Sequence, residues 1–276
     1  MAKLTKNEPV SLKVIEDICK FLHCQPGDIM AMEQRSERPL LKLLREEKEM
    51  KLKGGLYHQT QIKLAYNSNR IEGSILSEEQ TRYIYETNTI AMPKEEATPV
   101  DDIIETINHF QCFDYMIDVA DQELTENMIK AFHRLIKSNT SDSRKEWFKV
   151  GDYKAKPNMV GDNRTVSPAK VKGEMAKLLA DYASLETVQF EDIIAFHHQF
   201  ESIHPFQDGN GRVGRIILFK ECLRWGIVPF VIDERHKLFY YRGLKQFETA
   251  KGYLMDTCYS SQDEYKKLVD YFMEAE

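Results

Sequence analysis

The chain has 276 residues, of which 42% are hydrophobic and 30% charged, and it carries a net charge of −6. That is ordinary globular usage in a chain long enough to bury a sizeable core. No apolar run approaches the roughly 20 residues of a membrane span, and the N-terminus lacks the apolar stretch of a secretory signal. The negative charge argues against a generally basic nucleic-acid surface. The five cysteines, at 19, 24, 112, 222 and 258, show no Cys-x-x-Cys spacing and the eight histidines form no ligand cluster, so the expected protein is cytoplasmic, with reduced thiols and neither a disulfide frame nor a zinc site.

The first segment, taken as residues 1–33, holds a short amphipathic pattern over 9–30 that closes at Pro26-Gly27-Asp28. It resembles the tail of a repressor-type helix-turn-helix domain. Only Met1 to Glu8 precede it, too few for the helices that would read DNA, so nucleic acid is not the expected partner of this N-terminus. The alternative is a helical hairpin that packs on the remainder, residues 34–276. The charged run Arg45 to Lys53, closed by Gly54-Gly55, reads as a solvated helix and hinge.

Helix then follows helix. A pattern over about 59–73 ends at Ser68-Asn69-Arg70-Ile71-Glu72-Gly73, where Ser68 and Glu72 lie one turn apart and glycine ends the helix. Ser77 and Gln80 form a capping-box signature. Ile103, Ile107, Phe110, Phe113 and Ile117 make a long apolar stripe. Leu124 and Ile129 flank Thr125 as a hydrophobic staple. Between Val150 and Arg164 turn residues replace periodicity, which predicts a hairpin. A helix with Val171, Met175, Leu178, Tyr182 and Leu185 on one face comes next, then another through Phe190, Ile193, Ile194, His197, Phe200 and Ile203. His197 and His198 belong to that helix, in core or supporting roles. Ser261 and Glu264 predict the start of a last helix with Tyr265, Leu268, Val269 and Phe272 on its apolar face.

The densest chemistry lies at His204-Pro205-Phe206-Gln207-Asp208-Gly209-Asn210-Gly211-Arg212-Val213-Gly214-Arg215. Helical spacing on both sides makes this a tight turn between two helices. Free backbone N–H groups at such a turn and at the next helix start form a nest for an anion, most often phosphate. Arg212 and Arg215 share one face of that helix. Asp208 stands where a divalent cation bridging phosphates could be held, and His204 stands where a base could accept a proton. A polar interhelical turn with a satisfied histidine is the plain alternative.

The string matches at every position the signature of the Fic family, His-Pro-Phe-x-(Asp/Glu)-Gly-Asn-Gly-Arg-x-x-Arg. The resemblance implies a mainly helical, all-α Fic fold with a small β-hairpin flap over the active site. It also implies transfer of AMP from ATP to a Ser, Thr or Tyr hydroxyl of a protein substrate, the chain itself included among the candidates. His204 would be the general base, with an unperturbed pKa suited to neutral pH. Asp208 would hold Mg²⁺, and Phe206, Gly209, Asn210, Gly211, Arg212 and Arg215 would bind the nucleotide. Beside this core, Ser68 and Glu72 resemble the family's inhibitory helix, (Ser/Thr)-x-x-x-Glu-(Gly/Asn), in which the glutamate pairs with the second arginine, here Arg215, and keeps the γ-phosphate out. Phe239-Tyr240-Tyr241 resembles the aromatic element near the base, with Tyr240 as the candidate contact.

The family leaves several readings open. These are a nucleotide-sensing regulator with little turnover, another donor such as UMP, GMP or phosphocholine, and removal of AMP through Glu72. The complete nest argues against the phosphorylating branch, and the lack of a Gly-Lys loop argues against a P-loop NTPase. Relatives associate as dimers, so a homodimer is a candidate assembly.

Overall fold

The computed structural model describes residues 12–25, 38–91, 97–161 and 163–273. The chain divides into two compact units, 1–37 and 38–276. In the first, helix α1 (Leu12–Leu22) buries Cys19 and carries an i,i+4 pair between Lys20 and Glu16. Pro9 to Ser11 and the turn Pro26 to Ile29, which completed the repressor-like pattern, lie outside the described residues.

The second unit consists of α2 (Pro39–Met50), α3 (Leu56–Ile71), α4 (Glu78–Thr87), α5 (Val100–Asp118), α6 (Glu126–Lys137), a two-stranded hairpin, α7 (Pro168–Ala183), α8 (Phe190–Ile203), α9 (Asn210–Trp225), α10 (Lys237–Gln246) and α11 (Gly252–Met273). The expected all-helical architecture with one small hairpin is the one observed. The hairpin pairs β1 (Met159–Val160) with β2 (Asn163–Arg164) antiparallel, Met159 opposite Arg164 and Val160 opposite Asn163, with exposed side chains. None of the described helices is long and apolar enough to cross a membrane.

Local chemistry accounts for the element starts. Pro39 occupies the first turn of α2, where its missing N–H costs nothing. The capping box of α4 is present with both bonds, Gln80 N to Ser77 Oγ and Ser77 N to Gln80 Oε1. Thr125 caps α6 by accepting from Met128 N, and Leu124 and Ile129 are buried beside it. Two expectations fail. Arg45 to Met50 is the expected solvated end of a helix, but it is no hinge between the two units, which divide at residue 37: Glu47, 5% exposed, accepts from Tyr57 N at 2.6 Å, so the carboxylate closes the turn into α3. Ser261 does not start a helix, because α11 begins at Gly252 and the Ser261 hydroxyl is satisfied within it by Thr257 O.

Helix α9 is the hub. Val213, Ile216, Ile217, Leu218, Phe219, Cys222 and Leu223 are all buried, so apolar residues cover most of its circumference, as a helix enclosed by others requires. It packs against α8, α6, α5 and α3, while α11 covers α10, α8 and α3. Phe219 sits at the centre, edge-on to Phe113 at 5.5 Å and to Tyr265 at 5.6 Å. Truncating such a ring to alanine costs about 3–5 kcal/mol. The arrangement fixes the N-terminus of α9, and with it residues 204–215, among four other helices.

Candidate active site

The turn before α9 is held by its own residues. Helix α8 ends at His204, whose backbone is left-handed (φ 51°, ψ 61°) and whose N–H still reaches Phe200 O at 2.9 Å. Asn210 then clasps the loop: Oδ1 accepts from Phe206 N at 2.8 Å and Nδ2 donates to Phe206 O at 2.9 Å. The Phe206 ring is fully buried and stacks on His133 at 4.0 Å. His133 accepts from Gly151 N at Nδ1, so its proton sits on Nε2, which faces Asp208 O at 3.1 Å. Asn210 and Phe206 thus shape the turn from behind. Gly209 adopts φ +80°, a conformation that disfavours any side chain. The first-turn N–H groups of α9 are left facing outward as an anion site.

Around this nest the charges fall into two groups. On one side, Lys137 Nζ lies 2.6 Å from both Asp208 Oδ2 and Glu105 Oε1 and 3.5 Å from Asp142 Oδ2. Arg212 pairs with Glu105 through Nη1 and with Asp208 through Nη2 at 3.2 Å. Lys137, Glu105, Arg212 and Asp208 therefore close a ring of alternating charge. Burial pushes the Asp208 carboxyl up, but the Arg212 and Lys137 charges outweigh it and hold the group well below the usual carboxylate range. On the other side, Arg215, 4% exposed, donates to Ser68 Oγ at 3.0 Å, to Ser68 O at 2.9 Å and to Glu72 Oε1 at 2.6 Å. Burial likewise opposes ionisation of Glu72, and Arg215 and Arg212 together lower its pKa nonetheless. Glu72 lies so close over Gly211 that a methyl group there would come within 2.2 Å of Oε1.

His204 departs from expectation in one respect. Its pKa is not unperturbed: burial, and then the nearby Lys154 ammonium, lower it to about 4. The imidazole is therefore neutral at pH 7, with a lone pair available. Lys154 is itself 3% exposed and ties the base of the hairpin to the turn. Its N–H donates to Pro205 O at 2.9 Å, and its ammonium donates to Asn158 Oδ1 at 2.7 Å and Thr165 Oγ1 at 2.6 Å. A cleft of about 680 Å³ is lined by Val160, Thr165, His198, Tyr241 and Leu244 among others, and by Glu201, the neighbour of His204. Tyr240 lies behind the cleft wall, 1% exposed, with its hydroxyl 2.7 Å from His197 Nε2. The next residue, Tyr241, is the one on the cleft, and its hydroxyl donates to Ile71 O at 3.2 Å.

The structure thus brings together residues 68–72 and 204–215, which lie far apart in sequence, and leaves Tyr240 behind the wall. Glu105, Lys137, Lys154 and Glu201 had no signal in the sequence. Lys137 in the last turn of α6 reads as an ordinary complement to the helix dipole. Glu105 and Glu201 read as solvent-side acids on amphipathic helices. Only an invariant pattern across many sequences would separate such residues from surface charge.

Residues 123–221 match the Fic/DOC family, and residues 1–35 match the Cro/C1-type HTH DNA-binding domain. The chain is similar to the protein adenylyltransferase Fic of Nematostella vectensis, 25% identical over 186 residues, which is 66% of this chain and 42% of that one. It is equally similar to the protein adenylyltransferase fic-1 of Caenorhabditis elegans, 25% identical over 194 residues, 68% of this chain and 37% of the relative. The chain spans less than half the length of these relatives. A Fic domain containing signaling protein from Bacteroides thetaiotaomicron superposes with a TM-score of 0.63 at 24% identity, covering 84% of this chain and 90% of that one. A Fic-1 structure from C. elegans gives 0.63 at 20% identity, covering 87% and 74%. These two likenesses establish the fold.

Proposed function

We propose that this chain, whose residues 123–221 match the Fic/DOC family, is a self-restrained protein adenylyltransferase, moving AMP from ATP to a Ser, Thr or Tyr hydroxyl of a protein substrate. The observation that carries this reading is a buried neutral histidine beside an anion nest whose second arginine is already occupied by a carboxylate. The names of the relatives, protein adenylyltransferases, point the same way.

In this reading the phosphates lie on the first-turn N–H groups of α9, with Arg212 supplying fixed positive charge. His204 takes the proton from the attacking hydroxyl. The oxygen forms a bond to the α-phosphorus as the bond to the leaving pyrophosphate breaks, an in-line displacement that depends on positioning and charge more than on covalent help. Glu72 holds Arg215 by a charge-assisted bond and competes with the γ-phosphate for the same guanidinium.

Asp208 suits Mg²⁺. It is a hard oxygen donor kept ionised by Arg212 and Lys137, both of which engage Oδ2, and it would hold the ion through its carboxylate. A single carboxylate with phosphates and water completing the shell is the usual arrangement for this metal, which supplies neutralisation of phosphate charge.

The test is intact mass after incubation with ATP and Mg²⁺, with self-modification as the readout. The Glu72→Gly chain should gain AMP, the parent less, and His204→Ala none. Equal labelling of parent and Glu72→Gly would remove the restraint from this proposal. Labelling of His204→Ala would remove the base.

A further inference from the structure

Glu201 stands between the nest and the cleft. It lies on the last turn of α8, three residues before His204. Its side chain is 13% exposed, and Oε2 lies 3.9 Å from His204 Nδ1, too far for a hydrogen bond. Oε1 is buried without any hydrogen-bond partner and packs against Gly214, where an added methyl would approach it to 2.6 Å. A buried carboxyl oxygen with no partner costs stability, so its retention calls for an explanation. Burial also pushes its pKa up to about 8, so near neutral pH the group can both donate and accept a hydrogen bond.

The order of groups along a nucleoside triphosphate supplies one. With phosphates on the first turn of α9, the base has the apolar side of the cleft to enter, between Val160, Tyr241 and Leu244. A cleft of about 680 Å³ accommodates a nucleoside. The sugar joins the two and must cross the rim between them, and Glu201 is the titratable side chain on that rim that lines the cleft and also neighbours the base His204. We propose that Glu201 recognises the ribose of the nucleotide donor, bonding its 2′- or 3′-hydroxyl. The assignment rests on the nucleotide-transfer reading above. Gly214 belongs to the same device: a Cβ there would collide with Glu201 and His197, so its absence lets both fit against α9.

A site built to hydrogen-bond a hydroxyl discriminates against the analogue that lacks it. The experiment measures kcat/KM for ATP, 2′-deoxy-ATP and 3′-deoxy-ATP in Glu72→Gly chains, together with calorimetric affinity for the same three nucleotides. The chain with Glu201 intact should disfavour at least one deoxy donor by about tenfold or more. Glu201→Met, of similar bulk, should bring ATP down to the level of that donor, leaving a ratio within about twofold, and Glu201→Gln should keep part of the preference. Each ratio is taken within one variant, so a general loss of folded protein does not alter it. If Glu201→Met slows all three donors by one factor and keeps the preference, Glu201 acts through His204 and the proposal is overturned. It is equally overturned if the chain with Glu201 intact accepts all three alike. Failure of ATP to bind at all would sink the donor reading itself, whereas binding with an unchanged ratio sinks only the role of Glu201.

Discussion

Arg212 and Arg215 sit three residues apart on one helix face, yet they are held in opposite ways. Arg212 is locked into a ring with Glu105, Asp208 and Lys137, drawn from α5, the turn and α6. Arg215 takes its carboxylate from α3 alone, where Ser68 and Glu72 hold it, with the Tyr240 hydroxyl of α10 also against it. The partners differ in burial as well: the Glu105 side chain is 15% exposed and that of Glu72 30%. One arginine is therefore part of the architecture, while the other is bound by a group that can be taken away without opening the core. The lesson is that two residues of one motif, equal in sequence, can be held to different degrees, which on the proposed function makes one fixed machinery and the other the point of control.

The sharpest way to break this contrast is Glu105→Gln. It leaves Lys137 and Arg212 short of a buried counter-charge and should cost about 3–5 kcal/mol of unfolding free energy, read from urea denaturation, with transfer lost as well. A variant as stable and active as the parent would show that the Arg212 side is no more fixed than the other. Next in size, Arg215→Met in a Glu72→Gly chain should lower kcat/KM for AMP transfer by about 10²-fold, the scale of losing one charge-stabilising donor. No loss would mean that Arg215, once freed, does nothing for the nucleotide. Glu72→Gly alone should raise transfer by about tenfold while shifting stability by about 1 kcal/mol or less, since its partner keeps Ser68. Its sign is opposite to that of Glu105→Gln, and matching signs would erase the distinction.

Acid acts on both sides at once and more gradually. Burial holds His133, near Arg212, and His197, near Arg215, at about 3, against an ordinary value of 6.5. The unfolded chain takes up protons below 6.5 that the folded chain refuses, so stability is full above that value and declines as pH falls toward 3. Urea midpoints measured from pH 7.5 downward should fall monotonically below about 6.5. A flat profile would contradict the buried, neutral state of these rings.

Much of this was legible from residue order. Period and caps located Ser77 and Thr125, and the run from His204 to Arg215 declared a nest by its glycines and arginines. The Ser68–Glu72 pair lay in view too, though only beside that nest did it acquire meaning. What stayed hidden depends on helices meeting at a distance. Lys137, Glu105 and Glu201 look like surface charge until α9 is enclosed, and only that enclosure makes them buried. Ser261 misled because a hydroxyl bonding back to Thr257 has the same spelling as a cap. Tyr240 and Tyr241 could not be told apart, since adjacent residues diverge around a helix and only packing decides which faces the cleft.

Tyr241 has a consequence of its own. Its ring lines the cleft while its hydroxyl holds Ile71 O, the last residue of α3 before Glu72. One side chain therefore reads the occupant and the end of the restraining helix together. Thermodynamic linkage then imposes a symmetry: whatever factor the engaged Glu72 takes from nucleotide affinity, a seated nucleotide must take from the engagement of Glu72. On the proposed function, restraint would then be a balance set by nucleotide supply, with a measurable midpoint, in place of a bolt that is either shut or drawn.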